Sequence, residues 1–105
     1  MEEFLPKQLQ EFLQQPHESW LIDVREIWEF NVCRIEPSRL IPMNTLPSHA
    51  LSWNKEQSMI MICHHGIRSR MAARYLEDNG FTHIINLSGG VNRWAQEVDP
   101  NMPTY

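Results

Sequence analysis

The chain has 105 residues, 42% of them hydrophobic and 21% charged, with a formal net charge of −4; this is the balance of an ordinary globular domain with room for one core. The negative charge argues against general binding to nucleic acid or to an anionic membrane surface. No apolar run approaches the ~18 residues of a membrane span, the first residues lack a basic n-region and signal core, and two cysteines make no disulfide framework, so the expectation is one cytoplasmic domain over residues 1–105.

Leu5, Leu9, Phe12 and Leu13 fall on one helical face, with Pro6 in the first turn and Pro16 past its end. Trp20 to Val24 reads as a buried strand. Glu26 to Asn31 reads as a short helix or turn, beside which Arg25 and Glu29 have the spacing to pair. Cys33 to Arg39 is irregular, and Leu40 to Pro42 forms a brief strand. Asn44 or Thr45 is placed to cap a helix with Leu46, Ala50 and Trp53 on its apolar face.

Met59 to Ile62 is apolar throughout and too short for a helix, as a central parallel strand should be. Met71, Ala72, Tyr75 and Leu76 mark the next helix, which Asn79-Gly80 closes. Ile84 to Leu87 is another strand. Val91, Trp94, Ala95 and Val98 mark a last helix, and Pro100 and Pro103 release the tail. Trp20, Trp28, Trp53 and Trp94 are packing residues by default.

Strands alternating with helices predict an α/β fold with a mostly parallel sheet. In such a sheet the strand-to-helix loops emerge at one edge, where ligands bind. That edge gathers Asp23-Val24-Arg25, Met43-Asn44, Cys63 to Arg68 and Ser88-Gly89-Gly90.

Cys63 ends the most apolar strand and is followed by His64, His65, Gly66, Ile67, Arg68 and Ser69. A thiol attacks as its thiolate, which converging backbone N–H groups, a helix N-terminus and a nearby cation all favour. Here those are the loop amides, the helix starting near Ser69, and Arg68. Gly66 allows the tight path that such a loop needs. His64 and His65 either line the pocket mouth or donate to the substrate. Adjacent histidines in a tight loop seldom reach one ion and the spacing fits no zinc pattern, so no metal is expected. Asp23, beside Arg25, suits an ordering role better than an acid–base one. Gly89 and Gly90 supply turn geometry.

Taken in order, several stretches resemble the single-domain rhodanese-like sulfurtransferases. They are Leu21-Ile22-Asp23-Val24-Arg25-Glu26, Trp28-Glu29-Phe30, Ile41-Pro42-Met43, Cys63-His64-His65-Gly66-Ile67-Arg68-Ser69, Gly80-Phe81, and Leu87-Ser88-Gly89-Gly90-Val91-Asn92-Arg93-Trp94. The resemblance implies a three-layer fold with about five strands, the first of which would have to fit within Met1 to Phe4. It also implies a Cys63 thiolate that takes the outer sulfur of thiosulfate or a persulfide and passes it to cyanide, a cellular thiol or a protein. No cofactor or metal is implied; Arg68 would attract the anionic donor, with His64 and His65 as further donors. Small chains of this type occur as monomers and homodimers. The chain departs from the family at Cys33-Arg34-Ile35-Glu36-Pro37-Ser38, where Gly-His-Ile-Pro-Gly-Ala is usual. That change implies a different local loop and adds a second thiol, either a resolving cysteine or an idle buried one.

Three rivals stand beside that reading. The cell-cycle dual-specificity phosphatases share this fold but need Cys-x5-Arg to seat a phosphate. Cys63 to Arg68 is Cys-x4-Arg and Arg70 overshoots, so the loop is a tighter one suited to sulfur. A non-catalytic interaction module often lacks the cysteine that this chain keeps. A persulfide carrier would use the same chemistry at Cys63.

Overall fold

Short strands alternate with helices throughout the computed structural model, which describes residues 1–105. In chain order they are β1 (Glu2–Phe4), α1 (Pro6–Leu13), β2 (Trp20–Asp23), α2 (Ile27–Val32) and β3 (Arg39–Leu40). A 3-10 turn at Met43–Thr45 leads into α3 (Leu46–Ala50), followed by β4 (Met59–Ile62), α4 (Ile67–Asp78), β5 (Ile84–Leu87) and α5 (Gly90–Glu97). The strands form one sheet in the order β1-β5-β4-β2-β3, and every neighbouring pair runs parallel. The first strand does form: Glu2, Glu3 and Phe4 pair with Ile85, Asn86 and Leu87 at the sheet's edge.

β4 is the middle strand, and its alternation divides the core in two. Met59, Met61 and Cys63 face α3 and α4, where they pack with Leu46, Ala50, Ala72, Ala73 and Leu76. Ile60 and Ile62 face the other way, toward Leu9 of α1 and Val91 and Trp94 of α5. All four residues of β4 are fully buried, which accounts for a strand apolar on both faces. No helix is long and apolar enough to cross a membrane.

Four expectations shift locally. α4 buries Ser69, Ala72, Ala73 and Leu76, an i, i+3, i+4, i+7 face of small residues that lets the helix lie close to the sheet. Met71 and Tyr75 fall one step round the helix and are exposed. Thr45 occupies the N-cap of α3 without capping it; its hydroxyl donates to the Pro42 carbonyl at 2.8 Å, inside the 3-10 turn. Trp53 lies beyond that helix and meets Trp20 edge-on at 5.6 Å. Trp28 is 57% exposed rather than in the core.

Candidate active site

Cys63 is the first residue beyond β4 and is 1% exposed. With His64, His65, Ile67 and Arg68 it lines an open pocket of about 260 Å³. The turn into α4 is made by Gly66 at φ +93°, where a Cβ would stand 2.9 Å from the Gly89 nitrogen. Gly66 is also the N-cap of α4, and its N–H donates to Cys63 Sγ at 3.0 Å. The sulfur thus meets a backbone donor at the positive end of a twelve-residue helix, an arrangement that favours negative charge on it.

The loop after β5 holds this one in place. The N–H groups of Val91 and Asn92 donate to the carbonyls of Cys63 and His64 at 2.9 and 3.0 Å. Gly90 permits that approach, since a Cβ there would lie 2.3 Å from the Cys63 oxygen. Asn86, wholly buried in β5, sends its amide N–H groups to the Gly66 carbonyl at 3.2 Å and to Glu3 at 3.0 Å. Its carbonyl accepts the Ser69 hydroxyl at 2.5 Å. Glu3 in turn pairs with Arg70 at 2.7 Å. Ser69 therefore anchors the first turn of α4 and does not line the pocket.

Arg25 and Glu29, which have the spacing to pair, form no ion pair. α2 begins at Ile27, so Arg25 lies outside the helix and the helical i, i+4 geometry does not apply. Its guanidinium instead pairs with Asp23, Nε to Oδ1 at 2.9 Å and Nη2 to Oδ2 at 2.8 Å, with both side chains 0% exposed. It also donates to the Cys33 carbonyl at 2.6 Å and to the Glu29 backbone carbonyl at 3.4 Å. Asp23 and Arg25 thereby tie β2 to α2 beneath the rim. Cys33 and Cys63 are both buried free thiols.

Glu29 turns the other way, to Arg68, with Oε2 and Oε1 accepting from the two terminal nitrogens at 2.9 and 2.7 Å. The Arg68 guanidinium, helped by the Glu26 N–H and the Tyr105 hydroxyl and opposed by burial, holds the Glu29 carboxyl at about 2. The same bond raises the pKa of Arg68.

The tail after α5, expected to run free, returns to the site. Tyr105 stacks on His64 with ring centres 4.0 Å apart and planes 14° off parallel, and Trp28 meets it edge-on at 5.3 Å. Its hydroxyl accepts from Arg25 at 2.8 Å and donates to Glu29 at 2.9 Å. Burial pushes that hydroxyl up to about 12, so it keeps its proton at neutral pH. Burial, then the neighbouring His65, lowers the pKa of His64. No three His, Cys, Asp or Glu side chains cluster closely enough to hold a metal ion.

Glu29, Asn86 and Tyr105 were not among the expected site residues. Only Asn86 carries a clear local signal: a polar side chain in an apolar strand needs partners when buried. Arg68, the charged partner of Glu29, and the partners of Tyr105 are distant in sequence and have no such signature.

The rhodanese-like domain family matches residues 5–97. The chain belongs to the rhodanese-like family. A rhodanese-like domain protein from Staphylococcus aureus superposes with a TM-score of 0.84 at 32% identity, covering 93% of this chain and 95% of that one. Among curated proteins, the adenylyltransferase and sulfurtransferase uba4 of Ogataea parapolymorpha is 31% identical over 82% of this chain. The putative sulfur carrier protein YrkF of Bacillus subtilis is 34% identical over 75% of it. This rhodanese-like chain spans 22% of the length of the first and 43% of the second.

Proposed function

We propose that this rhodanese-like domain is a sulfurtransferase that moves a sulfane sulfur from thiosulfate or a persulfide donor, through a persulfide on Cys63, to a thiophilic acceptor. The observation that carries the reading is the Cys63 sulfur in the pocket wall, facing the Gly66 N–H at 3.0 Å. Family membership and the sulfur-transfer names of two relatives support it.

Cys63 as thiolate attacks the outer sulfur of the donor. A new S–S bond forms, the donor's S–S bond breaks, and the electron pair leaves with sulfite or with the donor thiolate. The terminal sulfur then goes to cyanide, a thiol or a protein, and the thiolate is restored. The Gly66 N–H and the start of α4 stabilise the anion in both states. His64, His65, Ile67 and Arg68 surround the incoming donor. Asp23, Arg25, Gly89 and Gly90 keep the surrounding loops in register. Nothing in these steps calls for a metal or an organic cofactor.

Phosphatase chemistry fits poorly, because the Cys-x4-Arg loop is tight and both terminal nitrogens of Arg68 are engaged by Glu29. Thiocyanate formation from thiosulfate and cyanide tests the proposal. Wild type is expected to turn over and Cys63→Ser to fall by at least about a thousandfold, as loss of a nucleophile does. Equal rates would overturn it. The similarity to a protein named as a sulfur carrier favours one second reading, in which the persulfide goes to a protein partner. Wild type that forms no thiocyanate, yet gains one sulfur atom by intact mass from a persulfide donor, would select that reading.

A further inference from the structure

Each arginine around the active site already has a carboxylate: Arg25 holds Asp23, Arg70 holds Glu3, and Arg68 holds Glu29. Arg68 is the one that lines the pocket, and both of its terminal nitrogens point at Glu29. The Glu29 carboxylate is itself fixed, because it also receives the Glu26 N–H at 2.8 Å and the Tyr105 hydroxyl at 2.9 Å. Tyr105 is fixed in turn by Arg25 and by stacking on His64. Burial disfavours the charged form of His64, so it adds little positive potential.

We propose that Glu29, braced by Tyr105, is a specificity-determining residue: it withholds the charge of Arg68 from the donor, so Cys63 takes sulfur from thiol persulfides in preference to thiosulfate. The inference rests on the sulfur-transfer reading and deepens it. Thiosulfate approaches the Cys63 thiolate as a dianion and meets a cation that is already neutralised. A persulfide brings at most one negative charge, and its carbon-bearing half can lie against Ile67, an apolar pocket residue that is 64% exposed. In the favoured step Cys63–S⁻ attacks the outer sulfur of R–S–SH; the donor's S–S bond breaks, R–S⁻ leaves with the electron pair, and Cys63–S–SH remains. With thiosulfate the leaving group is sulfite and the product is Cys63–S–S⁻. Both steps balance without an external oxidant or reductant.

The test is the rate at which Cys63 gains one sulfur, read by intact mass, from the persulfide of 2-mercaptoethanol, which carries no charge beyond its persulfide group, and from thiosulfate. Wild type is expected to favour the persulfide. Glu29→Gln, which keeps the shape and removes the charge, is expected to shift the persulfide-to-thiosulfate ratio about tenfold toward thiosulfate. Tyr105→Phe loosens the brace and is expected to shift it the same way by roughly twofold. Adding Arg68→Ala to Glu29→Gln is expected to abolish the gain. An unchanged ratio in Glu29→Gln, or a parallel fall with both donors, overturns the proposal; if that variant does not fold, the ratio in Tyr105→Phe decides it. Wild type that loads from neither donor overturns the sulfur-transfer reading beneath it.

Discussion

After β4 the chain turns at Gly66 into α4, and after β5 it turns at Gly89 into α5. Both N-cap glycines sit at positive φ, +93° and +78°, and both helices start at the same edge of the sheet. They use their first N–H groups differently. The Gly66 N–H of the first loop goes to a side-chain sulfur. In the second loop, the N–H groups of Val91 and Asn92 go to carbonyls of the first. One loop keeps its donor for a side chain because the other supplies the backbone bonds that hold it there. A loop can therefore be tight without being self-supporting.

The strongest way to break that arrangement is Gly90→Ala. The added carbon would lie 2.3 and 2.4 Å from the carbonyl oxygens of Cys63 and His64, which are backbone atoms that a rotamer change cannot clear. Separating the loops costs the two N–H bonds as well as backbone strain, so a loss on the order of 3 kcal/mol is expected. For a chain of this size that lowers Tm by roughly 15 °C. Sulfur loading of Cys63 should fall in the protein that remains folded. A thermal melt within about 2 °C of wild type would show that the loops do not interlock.

Asn86→Leu sharpens the comparison by leaving both glycines in place. Asn86 is the side-chain link from β5 to the first loop, joining Gly66, Ser69 and Glu3. Leucine fills the volume but strands the Ser69 hydroxyl and leaves the Gly66 carbonyl with the Arg70 N–H alone, at a cost of about 2 kcal/mol. Chemical denaturation measures that loss, and the rate of Cys63 alkylation against pH reports whether the sulfur also changes. A stability loss with an unaltered alkylation profile would confine Asn86 to the fold and remove it from the positioning of Gly66.

The parts of this plan that were legible in the sequence were those with local signatures. Met59 to Ile62 is apolar on both faces because helices cover both faces, and the glycines after β4 and β5 stand where the chain must turn. The spacing from Cys63 to Arg68 puts the arginine in the first turn of the helix that follows the loop. Legibility ended where a side chain chooses among distant partners. Arg68 read as a free cation, but Glu29, from a helix formed much earlier in the chain, occupies it. Arg25 and Glu29 had the spacing to pair, yet the late start of α2 separates them. Two prolines suggested a departing tail, and aromatic stacking with hydrogen bonds to Arg25 and Glu29 brings Tyr105 back. Periodicity encodes which face of an element is covered; it does not encode which of several charges meets which.

The smallest expected effect separates the two loops by pH. The second loop holds the first through backbone bonds, whereas α4 is also tied to α2 through a titrating carboxylate. Glu29 has its folded pKa lowered from 4.5 to about 2. Above about pH 4.5 it is ionised in both folded and unfolded chains, so its bonds to Arg68 count in full. Between about 4.5 and about 2 the unfolded chain takes up a proton that the folded chain does not, and this contribution falls with pH. The Arg68 side chain is 38% exposed, so solvent screens the pair and its worth near neutrality is only about 1 kcal/mol. The Tm of Glu29→Gln should therefore lie a few degrees below wild type at neutral pH, and the gap should close on acidification. The penalty of Gly90→Ala has no titrating group of its own and should stay level over the same range. If instead the Glu29→Gln gap stays level down to about pH 2, the carboxylate does not contribute as an ionised partner of Arg68, and the two loops are held by the same kind of force.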